Sequence, residues 1–187
     1  TDVLTLFSRQ YGGDQQKVFQ TNARRRRVIL STNVAETSLT IPDIRFVVDS
    51  GIARVNRYDP ASGIQRLQVE PISQASARQR RGRCGRVSEG VCVRLFSEED
   101  FESRPEFTDP EILRSNLAGV VLQMEHLELG HPLKFPFIDK PQPKRVSQAF
   151  RTLEEIGAIA KGGGLTDVGH TLAQLPLDPR VGRILIE

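Results

Sequence analysis

Five arginines are concentrated between Arg78 and Arg86, at positions 78, 80, 81, 83 and 86. A guanidinium group is always charged, and its planar fork binds the oxygens of a phosphate bidentately. Arg83 and Arg86 are three residues apart, so in a helical turn their side chains would point the same way. Two forks that converge on one small, highly charged group are what stabilisation of a phosphoryl-transfer transition state requires.

Gln79 lies four residues before Arg83, on the same face if the turn is helical. Its neutral amide both donates to and accepts from a water molecule. Gly82 and Gly85 keep the backbone of the segment accessible. The segment alone fits a second interpretation equally well, a solvated basic patch that contacts the backbone of a nucleic acid. Phosphoryl-transfer chemistry and nucleic-acid binding are therefore both open at this point.

Charge is distributed unevenly along the 187 residues. Residues 1–95 contain 16 Lys and Arg against 8 Asp and Glu, a net charge of +8, whereas residues 96–187 contain 10 against 15, a net charge of −5. Such asymmetry suggests two modules, the first with a polyanionic partner, although two halves that face each other would show it as well.

The composition argues against membrane and metal chemistry. No apolar run approaches the length of a membrane-spanning segment, so the sequence predicts no membrane partner. Cys84 and Cys92 form no C-x-x-C pair, and the three histidines have no ligand spacing. We therefore predict free thiols in a reducing cytoplasm and no metal site.

The first half alternates short apolar strands with helical segments. Strands are predicted at residues 3–7, 28–30 and 46–48, with intervening helices capped by Asp14 and Asn33. Strand, helix, strand is the βαβ pattern of a parallel sheet, in which ligands bind beyond the carboxyl ends of the strands. Two further strands, at 52–57 and 64–69, predict a β-hairpin that carries Arg54, Arg57 and Arg66.

Two features of this half have simple structural interpretations. The run from Arg24 to Arg27 is typical of a solvated loop. Phe19 ends the first predicted helix, and a phenylalanine in such a position is more often part of the core than a ligand contact.

After Phe96 the chain becomes acidic and helical. A helix that starts at Asp109-Pro110-Glu111 is predicted to continue to Leu127, because apolar residues recur at helical spacing and place Met124 in the core. A second helix is predicted to stop at Gly157, followed by a small two-stranded wing and a helix that Thr166 caps. This order resembles a winged-helix module. It contains no basic recognition helix, so its expected role is structural.

Two motifs on either side of the hairpin resemble those of the C-terminal half of a DEAH-box helicase, most closely of the bacterial HrpA type. Ser31–Ile41 resembles motif V and Gln79–Arg86 resembles motif VI, and the likeness extends over nearly the whole chain. It implies an α/β RecA-like parallel sheet with a β-hairpin insertion over 1–97. A small, mostly α winged-helix domain over 98–176 and the start of a helical, ratchet-like domain over 177–187 are implied to follow.

The resemblance also implies an activity, ATP-dependent unwinding of RNA, and the residues that carry it. Arg83 and Arg86 would be arginine fingers, Gln79 would orient the attacking water, and Ser38 would sense the γ-phosphate. Phe19 would stack on the nucleotide base, which reverses the preference for a core position.

The family's ribose contact and its RNA contacts complete this set. Many relatives carry an aspartate that contacts the ribose where this sequence has Pro42, and the neighbouring Asp43 is predicted to replace it. The resemblance and the hairpin together give the predicted RNA contacts Ser8, Thr32, Asn33, Arg54 and Arg57.

The sequence contains neither the phosphate loop G-x-x-x-x-G-K-[ST] nor D-E-A-H. We therefore expect it to be a piece of a longer helicase, inactive alone, that binds ATP or another NTP together with a preceding RecA-like domain in cis, which holds Mg²⁺. The expected substrate is single-stranded RNA or an RNA duplex with a single-stranded tail. Two alternatives stay open, a non-catalytic nucleic-acid-binding module and a protein-interaction scaffold that uses the acidic half.

Overall fold

The computed structural model describes residues 1–20, 25–36, 40–59, 64–86 and 88–186. The chain divides into two compact units, one of Thr1–Val55 and Leu67–Thr108, the other of Asn56–Arg66 and Asp109–Glu187. The hairpin is thus divided, its base belonging to the first unit and its outer part to the second. The domain bounds predicted from the sequence, at 97/98 and 176/177, stay a prediction.

The first unit and the hairpin contain six strands and four helical segments in the described part of the chain. In order these are β1 (Asp2–Leu6), α1 (Gly12–Phe19), β2 (Arg27–Ser31), a 3-10 helix (Asn33–Glu36), β3 (Phe46–Asp49), β4 (Ile52–Asp59), β5 (Ile64–Pro71), α2 (Gln74–Arg81), β6 (Val91–Arg94) and α3 (Glu98–Ser103). β1 pairs with β2 and β3 pairs with β6, both in parallel, and β4 pairs with β5 as an antiparallel hairpin. The predicted parallel sheet with a hairpin insertion is confirmed.

The parallel strands show a period-two pattern of burial. Leu6 and Val18 are buried beneath them, whereas alternate residues of all four strands point to solvent. These side chains are apolar and between 40 and 73% exposed: Val3, Val28 and Leu30 on β1 and β2, and Phe46, Val48, Val91 and Val93 on β3 and β6. We call the second group, which lies on one pair of strands, the apolar sheet face. Continuous apolar composition on both faces is typical of strands in parallel sheets.

Both helix caps predicted in the first half are wrong. α1 begins at Gly12, so Asp14 lies within its first turn and pairs with Lys17 at 2.8 Å instead of capping the helix. Asn33 is itself the first residue of a 3-10 helix, Asn33–Glu36. Its expected capping-box partner, Glu36, accepts a hydrogen bond from Arg80.

The second unit is helical. Its helices are α4 (Glu111–Arg114), α5 (Ala118–His126), α6 (Pro143–Glu155), α7 (Asp167–Ala173) and α8 (Pro179–Leu185). Its apolar core forms where α5, α6 and α7 pack together, around Val121, Val146, Leu153 and Leu172. Met124 is buried as predicted.

Three predictions for the second unit, the long helix, the wing and the cap at Thr166, can be compared with the structure. The predicted long helix is broken between Arg114 and Ala118, and Leu127 at its end is exposed. The predicted wing is a single antiparallel bridge between Ile159 and Leu165. The cap at Thr166 is confirmed, since its hydroxyl accepts from the amide of Gly169 at 3.1 Å. Within the described ranges, no helix is long and apolar enough to cross a membrane.

Candidate nucleotide and RNA site

The arginine segment begins on α2 and continues beyond it. Ser73 caps the helix by accepting from the amide of Ser76 at 3.2 Å, and Gly82 ends it. Arg83 and Arg86 therefore lie after the helix, and the helical alignment predicted for them is wrong. Gly85 turns the chain between them with φ of 79°, a conformation that a residue with a Cβ adopts at a cost.

Arg83 and Arg86 both contact the predicted motif V segment. Tertiary contacts bring them there, and helical spacing does not. Arg83 Nη2 donates to the carbonyl of Glu36 at 2.6 Å, and Arg86 Nη1 donates to the hydroxyl of Thr40 at 2.6 Å. Arg86 Nε also donates to the carbonyl of Gly82. The two guanidinium groups thus contact the predicted motif V segment on both sides of residues 37–39. Ser38, predicted to sense the γ-phosphate, lies outside the described residues.

The two arginines also influence each other electrostatically. Partial burial lowers the pKa of Arg83, the positive charge of Arg86 lowers it further, and Glu36 opposes both effects. Like charges held close together repel, and an anion that binds both relieves the repulsion. The positive charges of Arg83 and Arg86 therefore favour the binding of an anion by these two side chains.

Arg80, on α2, connects the motif V segment to the strands β3 and β4. Its guanidinium donates to Glu36 Oε1 at 2.7 Å, to Asp49 Oδ1 at 2.8 Å and to the carbonyl of Ile52 at 3.1 Å. The Asp49 side chain is 0% exposed, and the Arg80 and Glu36 side chains are 15% and 13% exposed. Burial lowers the pKa of Arg80, but hydrogen bonds to Asp49 and Glu36 outweigh this and raise it overall.

The carboxyl ends of β1 and β2 present exposed polar side chains. The parallel ladder continues past Ser31, because the amide of Thr32 donates to the carbonyl of Leu6 at 3.1 Å. Ser8, Thr32 and Asn33, all exposed, follow these two strand ends. This is the edge at which ligands bind in parallel sheets, as the sequence predicted.

Phe19 and Asp43 are linked through Arg27. Arg27 Nη1 donates to the carbonyls of Val18 and Gln20, at 3.2 and 2.5 Å, and Nη2 donates to the carbonyl of Pro42 at 3.1 Å. Arg27 thereby holds the end of α1, which carries Phe19, next to the turn that carries Asp43. It is a half-buried structural residue, so its prediction as part of a solvated loop is wrong.

Phe19 is a residue for which a core position and a ligand contact are both predicted. Phe19 is 36% exposed, whereas its neighbour Val18 is fully buried and occupies the core position at the end of α1. Asp43 is exposed and has φ of 62°, a left-handed conformation that aspartate tolerates better than most residues. Both side chains are accessible to a ligand.

The other predicted site residues are placed as follows. Gln79 is exposed in the last turn of α2, before the two arginines. Arg54 is exposed on β4. Arg57, in the second unit, is half-buried and pairs with Asp109 at 3.0 Å. Among the described residues, no group of three or more His, Cys, Asp or Glu side chains is arranged to hold a metal ion.

Comparison with known proteins identifies the family. A model described as the helicase conserved C-terminal domain matches residues 2–88, and one described as the helicase associated domain (HA2), winged-helix, matches residues 149–177. A crystal structure of the Escherichia coli DEAH/RHA helicase HrpB matches with a TM-score of 0.90 and 37% identity, over 100% of this chain and 24% of that chain. The chain belongs to the DEAH-box helicase family. The predicted resemblance is thereby confirmed.

Sequence relatives of this DEAH-box chain are found in bacteria and animals. It is 54% identical over 192 residues to the ATP-dependent RNA helicase HrpA of Escherichia coli (strain K12), which covers 100% of this chain and 15% of that protein. It is 49% identical over 185 residues to the probable ATP-dependent RNA helicase DHX34 of Mus musculus, covering 98% of this chain and 16% of that protein. The chain thus spans about 15% of the length of these relatives.

Two arginines of this DEAH-box chain have contacts that their sequence context does not predict. Arg80 was grouped with the other arginines between Arg78 and Arg86 as a phosphate-binding candidate, yet its side chain binds the carboxylates of Glu36 and Asp49. Arg27 was grouped with a charge run, yet its partners are backbone carbonyls. An arginine that precedes a short apolar strand is the only sequence signal for Arg27, and it is too general to identify a partner.

Proposed function

We propose that this chain is the part of an ATP-dependent RNA helicase that couples NTP hydrolysis to translocation on RNA and its unwinding. The observation that carries the proposal is the contact of Arg83 and Arg86 with both sides of the motif V segment. Two guanidinium groups fixed on one short segment can bind a phosphoryl group between two domains once a nucleotide is present. The names of the relatives support the same conclusion.

In this proposal the chain supplies electrostatic stabilisation and not the phosphate cradle. Arg83 and Arg86 neutralise charge that develops on the transferred phosphoryl group, Gln79 orients the attacking water, and Ser38 responds to the γ-phosphate. The phosphate loop and the D-E-A-H sequence belong to a preceding RecA-like domain of the same protein. That domain holds Mg²⁺, which neutralises phosphate charge when bound.

The remaining nucleotide contacts are assigned to the pair of residues that Arg27 holds. Phe19 stacks on the base and Asp43 binds the ribose hydroxyls, in place of the family's aspartate at the position of Pro42. The accessibility of both side chains supports this assignment. A stacked base is held through its π-face, so the site accepts other NTPs besides ATP.

The RNA strand is proposed to cross the carboxyl edge of β1 and β2. Its phosphates bind the exposed hydroxyls of Ser8 and Thr32 and the amide of Asn33, and Arg54 and Arg57 of the hairpin contact the strand as it is separated. The substrate is single-stranded RNA or a duplex with a single-stranded tail. The free cysteines Cys84 and Cys92 fit a reducing location, and we propose the cytoplasm.

The 187-residue chain alone is expected not to hydrolyse ATP at the rate of a helicase, because arginine fingers act on a phosphate that another domain holds. Joining it to the RecA-like domain that carries the phosphate loop is expected to restore hydrolysis that RNA stimulates. A steady-state ATPase assay with and without oligouridine measures both states. RNA-stimulated turnover by the purified chain alone would contradict the proposal.

Phe19→Ala is expected to raise the KM for ATP, GTP, CTP and UTP by similar factors in the joined protein, since stacking contributes about 1–3 kcal/mol with little base preference. The free energy of unfolding should change much less than the roughly 3–5 kcal/mol of a buried phenylalanine. Nucleotide titrations and a thermal melt measure the two quantities.

Val18→Ala is the matched control, because it truncates the buried neighbour of Phe19. It should lower the melting temperature and leave the four KM values unchanged. Phe19 would be assigned to the core if its alanine variant lost stability as a core truncation does while every KM stayed the same.

A further inference from the structure

A cleft of about 360 Å³ lies within the second unit, among β4, α4 and the first turns of α6. We call it the basic cleft, because four of its lining residues are cations, Arg57, Arg114, Lys144 and Arg145. Of these, only Arg57 was predicted to contact RNA. None of the eight described residues that line the cleft is a carboxylate.

The carbonyl partners of Arg114 and Arg145 fix the positions of these side chains without neutralising their charge. Arg145 donates to the carbonyls of Leu113 and Ser115, the second at 2.9 Å. Arg114 donates to the carbonyl of Asn56 at 3.3 Å. A carbonyl satisfies an N–H group without cancelling the charge of the guanidinium, so both arginines stay electrostatically available to an anion.

Asp109 is a carboxylate that opposes this charge. Asp109 pairs with Arg57 at 3.0 Å, and its own side chain is 59% exposed. An ion pair as exposed as this contributes little and is screened by salt. The cationic character of the basic cleft therefore rests on Arg114, Lys144 and Arg145, in a lining without carboxylates.

Arg57 and Arg145 are close enough for the charge of one to act on the other. Partial burial lowers the pKa of Arg145, and the charge of Arg57 lowers it further, with Tyr58 opposing. Lys144 adds a third source of positive potential in the first turn of α6, where the helix dipole has the same sign and Gln142 makes no side-chain cap. An anion is the ligand that relieves this accumulation of charge.

The cleft also contains groups that interact with bases. Tyr58 offers an aromatic face, and the amides of Gln142 and Gln148 both donate and accept hydrogen bonds. A positively charged groove with an aromatic side chain along it is the usual composition of a site for single-stranded nucleic acid. An acidic peptide would use the cations but would leave Tyr58 without a comparable role.

We propose that the basic cleft binds one RNA strand, its phosphates contacting Lys144, Arg114 and Arg57 and one base stacking on Tyr58. This rests on the proposed function for the identity of the polyanion, and adds the α4 and α6 residues as a binding site. It differs from the edge of the parallel strands in the first unit, which holds the other proposed RNA contacts.

Lys144→Glu in the 187-residue chain is the test variant. Lys144 is exposed, and a glutamate in the first turn of α6 suits the helix dipole, so the fold is retained. Anisotropy of fluorescein-labelled oligouridine between about 50 and 200 mM salt should show affinity reduced by about tenfold at the lower salt and a salt slope smaller by about 0.7.

Lys161→Glu is the matched control, because it makes the same change of charge on an exposed lysine of the same unit, beside Glu154 and Glu155. Its affinity should stay within about twofold of the unchanged chain, since only general electrostatics is altered. Equal losses in the two variants, or no loss in either, would overturn the assignment of the cleft.

Two further outcomes separate this proposal from the proposed function. Binding of oligouridine that is insensitive to Lys144→Glu removes the basic cleft and leaves the helicase assignment intact, whereas no binding by the unchanged chain removes both. A third outcome is that the chain does not bind RNA but binds an oligoglutamate peptide, and that Lys144→Glu weakens the binding of the peptide. The cleft would then be a protein-docking site, and the proposal would be overturned.

Discussion

Arg83→Ala and Arg86→Ala should each reduce kcat of the restored, full-length enzyme by about 10³–10⁵-fold, the range that an arginine finger contributes. RNA affinity should change little, because the side chains of Arg83 and Arg86 contact Glu36 and Thr40 of the motif V segment, which are not among the proposed RNA contacts. ATPase rates at saturating RNA and oligouridine titrations on the same variants measure the two quantities.

The opposite result is expected if these arginines only clamp RNA phosphates. Each substitution would then weaken RNA binding and reduce the salt slope by about one unit, and kcat at saturating RNA would be normal. Arg81→Ala is the control, because Arg81 is exposed at the end of α2 and belongs to the same basic segment. A normal kcat in either finger variant would end the assignment of that residue.

Arg80→Met should lower the free energy of unfolding by about 3–5 kcal/mol, the cost of leaving a buried charge without its partner. The reason is the position of Asp49, whose side chain is wholly buried against Arg80, and of Glu36, which is mostly buried. Urea denaturation followed by circular dichroism measures the change.

A double-mutant cycle makes this measurement specific. Combining Arg80→Met with Asp49→Asn should cost less than the sum of the two single changes, because the second removes the charge that the first left uncompensated. Arg81→Met controls for the loss of one arginine in the same turn of α2 and should change stability by less than about 0.5 kcal/mol. A cost for Arg80→Met no larger than this would refute a structural role.

Elements defined by local pattern could be predicted from the sequence. Short apolar runs located the strands, and the cap at Thr166 was predicted because a hydroxyl before a helix bonds to a nearby amide. The two motifs identified the family, and with it the parallel sheet and the hairpin. Arg83 and Arg86 were correctly placed together, although the helical reason given for it was wrong.

Features that depend on distant partners could not be predicted. The apolar periodicity is uninterrupted from Leu113 to Leu127, yet the helix breaks after Arg114. The carbonyls of Leu113 and Ser115, which a continuous helix would bond internally, accept from Arg145. Nothing near these residues in the sequence indicates that partner, so tertiary contact overrides the local preference.

Arg27 shows the same limit within the candidate site. Its three carbonyl acceptors lie on Val18, Gln20 and Pro42, so its role exists only once α1, β2 and the turn at Asp43 are assembled. A backbone carbonyl is present at every position and leaves no trace in the sequence. Such a contact is visible only in the folded chain.

The apolar sheet face has a practical consequence for work with the isolated chain. Phe46, Val48 and Val91 lie on neighbouring paired strands and each exposes more than half of its surface. Every Å² that such a face buries against another molecule contributes about 25 cal/mol, and patches of this kind promote precipitation as concentration rises. Solubility, rather than folding, will therefore set the concentration at which the chain can be handled.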